Sequence, residues 1–198
     1  MYKKYLKRPL DTFLAICGVI VLGIPMLIIG ILVKLDSEGP VLFKQKRLGK
    51  NLQPFTVYKF RTMCNHAYEI GGLVKCSNDS RITDIGEKLR RTSLDELPQF
   101  FNIIKGDMAI IGPRPILDWE FEDYKSNSQY MTRYNVLPGM FCTVDLDFRA
   151  EADRDLQFTM DAEYVKSITF IKDYRIFFGI LKTVISGKNV YKEEVGGR

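Results

Sequence analysis

From Thr12 to Val33 the chain runs TFLAICGVIVLGIPMLIIGILV without a charged residue, bounded by Asp11 and Lys34. No other feature restricts the fold as strongly. As a helix rising about 1.5 Å per residue, the segment would just cover a hydrocarbon core of about 30 Å. It is longer than the apolar part of a cleavable signal peptide, usually about 7 to 15 residues, and no small-residue cleavage site closes it. Lys3, Lys4, Lys7 and Arg8 precede it, and Lys34, Lys44, Lys46, Arg47, Lys50, Lys59 and Arg61 follow. Because basic flanks stay in the cytoplasm, both ends belong on the same side. Pro25, with Gly23 shortly before it, lies near the midpoint, where a proline removes a backbone hydrogen bond and bends the helix. These features favour a re-entrant, monotopic anchor, with a spanning helix as the competing reading.

The whole chain has 198 residues, enough for one core and too few for two full enzymatic domains. With 46% apolar and 27% charged residues, neither disorder nor a fibrous repeat fits. The balance of 29 Lys and Arg against 24 Asp and Glu leaves a net charge of +5, which suits phosphate-bearing partners or an anionic membrane face. Cys17, Cys64, Cys76 and Cys142 are too far apart for a zinc or disulfide framework, and His66 is the single histidine. The division expected is an anchor helix over residues 1–35 and one cytosol-facing domain over residues 36–198, at the membrane surface.

After the D-S-E-G-P turn, Val41 to Gln45 and Phe55 to Phe60 are β-favouring runs, and the intervening Gly49 and Asn51 suggest a hairpin. Ala67 to Asp84 reads as a loop and Ile85 to Arg91 as a short helix. Leu97 to Lys105, closed by Gly106, reads as another helix, and Ala109 to Ile111 as a strand running into Gly112-Pro113-Arg114-Pro115. The acidic segment after Trp119 is helical in tendency. The tail from Asp161 to Ser186 reads either as a core-packing helix or as one lying on the membrane interface. The expected fold class is α+β: a mostly helical single domain with a short β-hairpin, an N-terminal re-entrant membrane helix and interfacial amphipathic helices.

Thr92-Ser93-Leu94-Asp95-Glu96-Leu97-Pro98-Gln99 places two carboxylates side by side at a helix start. One reading is a capping box, Ser93 capping and Glu96 three residues on. Pro98 weakens it, because it would then fall beyond the first turn; a helix starting at Asp95 puts the proline where its missing N–H is harmless. The pair at such a junction could ligate Mg²⁺, a hard cation that prefers oxygen, or one member could act as a nucleophile toward phosphate. Arg90 and Arg114, the latter fixed between two prolines, are placed as phosphate recognition requires, although each also fits an exposed arginine or a structural ion pair.

Several stretches together resemble a known family. They are K-R-P-L-D at Lys7 to Asp11, G-P-V-L-F-K-Q-K-R-L-G at Gly39 to Gly49, and K-F-R-T-M at Lys59 to Met63. L-R-R-T-S-L-D-E-L-P-Q at Leu89 to Gln99, N-I-I-K-G-D-M-A-I-I-G-P-R-P at Asn102 to Pro115, Pro138-Gly139 and D-A-E-Y-V at Asp161 to Val165 complete the set. The chain resembles the small monotopic bacterial phosphoglycosyl transferases, the polyprenyl-phosphate sugar-1-phosphate transferases. The resemblance implies that Asp95 attacks the β-phosphate of a UDP-sugar, releasing UMP, and that undecaprenyl phosphate then takes the phosphosugar from the enzyme. It implies Mg²⁺ held by Asp95 and Glu96, and phosphate or substrate contacts from Arg90, Arg114, Lys59, Arg61, Arg149 and Asp161. An ordinary carboxylate suffices as nucleophile, being anionic at neutral pH. The partners implied are the UDP-sugar donor, the polyprenyl phosphate acceptor and membrane lipids, with downstream glycosyltransferases as further candidates. The setting implied is the cytosolic face of the bacterial inner membrane, in glycoconjugate or exopolysaccharide synthesis.

Two positions depart from the family pattern. Ile24 stands where Ser-Pro often breaks the membrane helix, leaving Pro25 alone to account for a bend. Met140 to Arg149 reads M-F-C-T-V-D-L-D-F-R in place of a T-G-x-A-Q-V-x-G-R type stretch, with Arg149 in register. Two other classes compete with the enzyme: a non-catalytic membrane scaffold for glycosyltransferases, and a tethered nucleic-acid binder. The second rests only on the basic hairpin and lacks a recognition motif, so no nucleic acid is expected as a partner.

Overall fold

The computed structural model describes residues 1–67, 79–146 and 153–186. A π-helical turn, Tyr2–Leu6, leads into α1, Lys7–Asp36. Along α1 the positions Lys7, Asp11, Ala15, Gly18, Leu22, Met26, Ile29 and Val33 recur every three or four residues and share one face. Lys7, Asp11, Ala15, Ile29 and Val33 are buried on that face, and a Cβ at Gly18 would lie 3.0 Å from the Phe100 ring. Leu22 and Met26 pack into the same side. Phe13, Ile20, Val21, Ile24, Leu27 and Leu35 are exposed. α1 is therefore apolar all round, with one stripe built into the protein core and the rest uncovered.

The helix continues through Pro25, and both its ends are fastened to the same body. At the start, Lys7 Nζ lies 2.7 Å from Asp173 and 3.4 Å from Asp11, while Arg8 donates to the carbonyls of Ile103 and Met108. At the end, the Arg61 guanidinium donates to the carbonyls of Val33 at 3.0 Å and Ser37 at 2.6 Å, a cation on the helix C-terminus.

The expected hairpin is present and longer than the β-favouring runs suggested. β1, Leu42–Leu48, pairs antiparallel with β2, Pro54–Phe60, with Gln45 opposite Val57 and Phe43 opposite Lys59. Asn51 and Leu52 turn the chain with positive φ. α2, Asp84–Thr92, is capped by Thr83 and ends at Ser93 in the left-handed conformation. A 3₁₀ turn, Leu94–Glu96, then leads to α3, Gln99–Lys105, for which Pro98 is the N-cap and Gly106, at φ 105°, the C-cap. The buried Asn102 side chain fastens α3 to β2 by accepting from Tyr58 N at 3.0 Å and donating to the Thr56 carbonyl at 2.6 Å.

β3, Ala109–Ile111, forms where expected, but its partner was not legible: it pairs in parallel with β4, Gly139–Phe141. The pairing brings two glycines together, since a Cβ on Gly139 would lie 2.1 Å from Gly112 N. Between them, the acidic segment forms only α4, Asp118–Glu122, and α5, Ser128–Met131. The tail forms α6, Arg154–Lys166, and α7, Phe170–Ser186. The main core joins Ala15 of α1, Val57, Ile103, Met108, Ile111, Met140, Tyr164 and Ile176. The fold is a mostly helical α+β domain with a β-hairpin, as expected, and the β3–β4 pair adds a second small sheet. α7 buries Ile176 and Ile180 while Phe170, Tyr174 and Phe178 remain exposed, and Tyr2, in the turn before α1, packs edge-on against Phe170.

Candidate active site

The site is assembled where the hairpin, the α2–α3 junction and the β3 and β4 ends converge. On β1, residues two apart share a face, and Phe43, Gln45 and Arg47 line a cleft that Val57 and Lys59 of β2 continue. Glu96 and Gln99 close one side; Arg114, Pro115, Gly139, Met140 and Cys142 close the other.

Asp95 and Glu96 lie in the 3₁₀ turn between α2 and α3. Ser93 does not start the following helix; its left-handed conformation ends α2, so the capping-box reading gives way to a chain reversal that sets Glu96 at the cleft, with Asp95 beside it in the chain. Lys59 Nζ lies 2.5 Å from Glu96 Oε1. Asp95 has its pKa raised to about 6, first by burial and then by Glu96, with Lys59 and Arg90 pulling it down. The ordinary carboxylate expected from the sequence is thus a perturbed one, still mostly ionised at neutral pH. Arg90, in the last turn of α2, donates from Nε to Thr62 Oγ1 at 2.8 Å.

Arg114 stands on the Gly112–Pro115 loop after β3, and its Nη1 lies 2.8 Å from Asp145 Oδ1; this carboxylate holds the guanidinium pKa well above its usual range. Asp145 also accepts from Cys142 N at 3.0 Å, so the divergent stretch after Pro138-Gly139 is folded onto Arg114 through residues 142 and 145. Burial pushes the Cys142 thiol up, and it lines the cleft as a neutral group.

The other expected residues are placed differently. Arg61, one residue beyond β2, is buried and caps α1, and its Nε and Nη1 have no hydrogen-bond partner. It does not line the cleft as Lys59 does. Asp161 is fully buried and accepts from Arg133 Nη2 at 2.7 Å, and the same nitrogen donates to the Arg114 carbonyl. Burial pushes the Asp161 pKa up to about 7, against the pull of Arg133. Its carboxylate thus braces the Arg114 loop from behind. Arg149 lies outside the described residues.

Gln45, Arg47, Gln99 and Arg133 were not singled out from the sequence. Alternation along β1 carries a signal for the first two, since Lys44 and Lys46 are exposed while Gln45 and Arg47 turn inward with Lys59. Arg133 carries no local signal; only the fold brings it under Arg114.

As a metal site, Asp95 and Glu96 supply hard oxygen donors next to one another. Among the described residues no cluster of three or more His, Cys, Asp or Glu side chains is placed to hold a metal. The donor set therefore fits Mg²⁺ in the mode that takes one or two carboxylates, with substrate phosphate and water completing the shell.

The chain is 35% identical over 187 residues to the UDP-N-acetylgalactosamine-undecaprenyl-phosphate N-acetylgalactosaminephosphotransferase of Aeromonas hydrophila, covering 92% of this chain and 44% of that protein. It is 38% identical over 193 residues to the exopolysaccharide production protein PSS of Rhizobium leguminosarum bv. phaseoli, covering 91% and 94%. To the UDP-glucose:undecaprenyl-phosphate glucose-1-phosphate transferase of Escherichia coli (strain K12) it is 36% identical over 181 residues, covering 88% and 39%. The chain thus spans less than half the length of the Aeromonas and Escherichia relatives. With residues 2–187 matching its pattern, the chain belongs to the bacterial sugar transferase family.

Proposed function

We propose that the protein transfers a sugar 1-phosphate from a UDP-sugar to undecaprenyl phosphate at the cytosolic face of the bacterial inner membrane, through a covalent intermediate on Asp95. The observation that carries this reading is a partly desolvated carboxylate, Asp95, under the influence of Lys59 and Arg90 and next in the chain to Glu96, which lines a cleft with Lys59 and Arg114. In the first step an Asp95 carboxylate oxygen bonds to the β-phosphorus. The bond from that phosphorus to the oxygen bridging the two phosphates breaks, and UMP leaves with the electron pair. In the second step an oxygen of the lipid phosphate bonds to the same phosphorus and the Asp95 oxygen leaves, which regenerates the carboxylate and yields the polyprenyl diphosphosugar. Burial favours the attack, because a poorly solvated carboxylate sheds little water on approaching phosphorus. Lys59, Arg90 and Arg114 offset the charge of the transferring group. Asp95 and Glu96 are the residues that would hold Mg²⁺, which when bound supplies charge neutralisation on the phosphate oxygens.

A monotopic placement is supported by the docking of α1. Its 30 residues measure about 45 Å, yet both ends are fastened to one body, so a straight crossing would require that body on both sides of the bilayer. With its core-facing stripe satisfied, α1 offers the exposed face to lipid from one side, and α7 adds an interfacial aromatic row. The acceptor's phosphate would then reach the cleft while its chain stays in the membrane.

The test uses detergent-purified protein and its Asp95→Asn variant with Mg²⁺, UDP-glucose, UDP-galactose and UDP-N-acetylgalactosamine, with and without undecaprenyl phosphate. Lipid-dependent UMP release with one donor, and a phosphosugar mass adduct that Asp95→Asn lacks, are expected. Folded, membrane-competent protein that forms no adduct with any donor would instead favour the non-catalytic scaffold.

A further inference from the structure

Three cations line the cleft, and they differ in how far the protein already neutralises them. Lys59 has Glu96 at 2.5 Å and Arg114 has Asp145 at 2.8 Å. Among the described residues Arg47 meets no carboxylate at hydrogen-bond distance; Glu120, its ion-pair partner, is 3.9 Å away. Glu120 is itself engaged by Arg154 and by Leu117 N. What holds Arg47 is neutral: Gln45 Oε1 accepts from Nε at 3.1 Å and from Nη2 at 2.6 Å, and the Pro115 carbonyl accepts from Nη1 at 3.3 Å. Of the five N–H groups of a guanidinium these use three, leaving one on each terminal nitrogen. Arg47 is thus a half-buried, pre-oriented fork whose hydrogen bonds go to neutral dipoles and whose ion pair with Glu120 is a long one, the arrangement suited to a bidentate phosphate contact. Burial and the nearby Arg114 and Arg154 also press its pKa down to about 10, a penalty that a bound anion would relieve.

The cations also divide in space. On the hairpin Lys59 stands opposite Phe43, whereas Arg47 lies four residues further along β1, opposite Phe55, so about 13 Å of strand separates the two cations. Arg47 is further tied to Pro115, beside Arg114. Lys59 and Arg90 thus serve the end of the cleft where the carboxylate attacks, and Arg47 the end away from it. A nucleoside diphosphate sugar attacked at its β-phosphorus by Asp95 directs its other phosphate away from that carboxylate.

Resting on the reading of Asp95 as nucleophile, we infer that Arg47, oriented by Gln45 and the Pro115 carbonyl, binds the phosphate that departs with the nucleotide. Lys59 and Arg90 attend the phosphoryl group that stays. Arg47 is then a substrate-contacting residue of the first step and a bystander in the second, because the nucleotide has left before the lipid phosphate attacks.

The test is carried out on the full chain in detergent with Arg47→Gln and Arg47→Lys. UMP binding is measured by calorimetry with uridine as the control, and discharge of preformed adduct to undecaprenyl phosphate is followed by single-turnover mass spectrometry. Arg47→Gln is expected to weaken UMP binding at least tenfold, to leave uridine binding within twofold, and to leave adduct discharge within twofold. Arg47→Lys is expected to recover part of the UMP affinity. Unchanged UMP binding in a folded Arg47→Gln protein would overturn the inference, as would an equal loss in UMP binding and adduct discharge, which marks a structural role. UMP binding does not depend on Asp95 chemistry. If no donor forms an adduct while UMP affinity still depends on Arg47, the covalent mechanism fails and the phosphate contact stands.

Discussion

Arg133 Nη2 lies 2.7 Å from Asp161 Oδ2 and also donates to the Arg114 carbonyl, so one buried ion pair is fixed directly to the loop that presents Arg114 to the cleft. The Arg133 guanidinium also stacks over the Phe158 ring, 4.2 Å from its centroid, which further limits its freedom. Breaking such a pair on one side leaves an uncompensated buried charge. Asp161→Leu should destabilise the protein by about 3–5 kcal/mol. Arg133→Met combined with Asp161→Leu should cost less than the single change, since no charge is stranded. Thermal unfolding of both variants in detergent checks this, and a double variant melting below the single one would contradict it.

Lys59 is the cation closest to the carboxylate pair. Lys59→Met removes a charge that pulls the Asp95 pKa down, so that pKa should rise above about 6. The acid limb of UMP burst release, followed between pH 5 and 9, should move to higher pH, and the burst rate at pH 7 should fall about tenfold or more. A limb left in place would mean that Asp95 is not the titrating group.

Asp95 itself costs stability when charged. Its folded pKa of about 6 exceeds the ordinary 3.8, so its contribution is fully present below about pH 4 and is lost as pH rises through 6. Asp95→Asn should therefore melt about 2–4 °C higher than the parent at pH 8 without divalent cations, with the difference shrinking toward pH 5. A lower melting point at pH 8 would show that the neighbouring cations outweigh burial.

The placement of α1 has its own test. With both helix ends docked on one body, single cysteines introduced at Lys4 and at Lys44 should both react with an impermeant thiol reagent in inverted membrane vesicles and both be protected in intact spheroplasts. Labelling from opposite sides would establish a spanning helix.

The close approach of β3 and β4 can be probed at Gly139. A Cβ there would lie 2.1 Å from Gly112 N, so Gly139→Ala should force the strands apart, displace the Arg114 loop and lower donor turnover by about tenfold or more. Turnover equal to the parent's would show that the loop tolerates the shift.

The apolar run of α1, the hairpin from Leu42 to Phe60 and the Gly106 helix stop were legible because each follows from a local pattern: uninterrupted hydrophobicity, alternation around a turn, a residue free to take positive φ. The Asp95–Glu96 pair, with Lys59, Arg90 and Arg114 as companions, was legible from residue type and motif. What the sequence left open was set by pairing between distant segments. β3 finds β4 across some thirty intervening positions, and Arg61, read as a substrate contact, turns instead to the carbonyls at the end of α1. Ser93 looked like a helix start and became a helix stop, because the chain must reverse there to bring Asp95 beside Lys59.

Local sequence thus determined which segments are helical, stranded or membrane-seeking, since those preferences are set within a few residues. Only the tertiary structure decided which arginines face the cleft and which are consumed holding it together. A guanidinium goes wherever carbonyls or carboxylates can replace its lost water, and those partners, Val33 for Arg61, Asp161 for Arg133 and Pro115 for Arg47, are brought together by the packing of the whole chain.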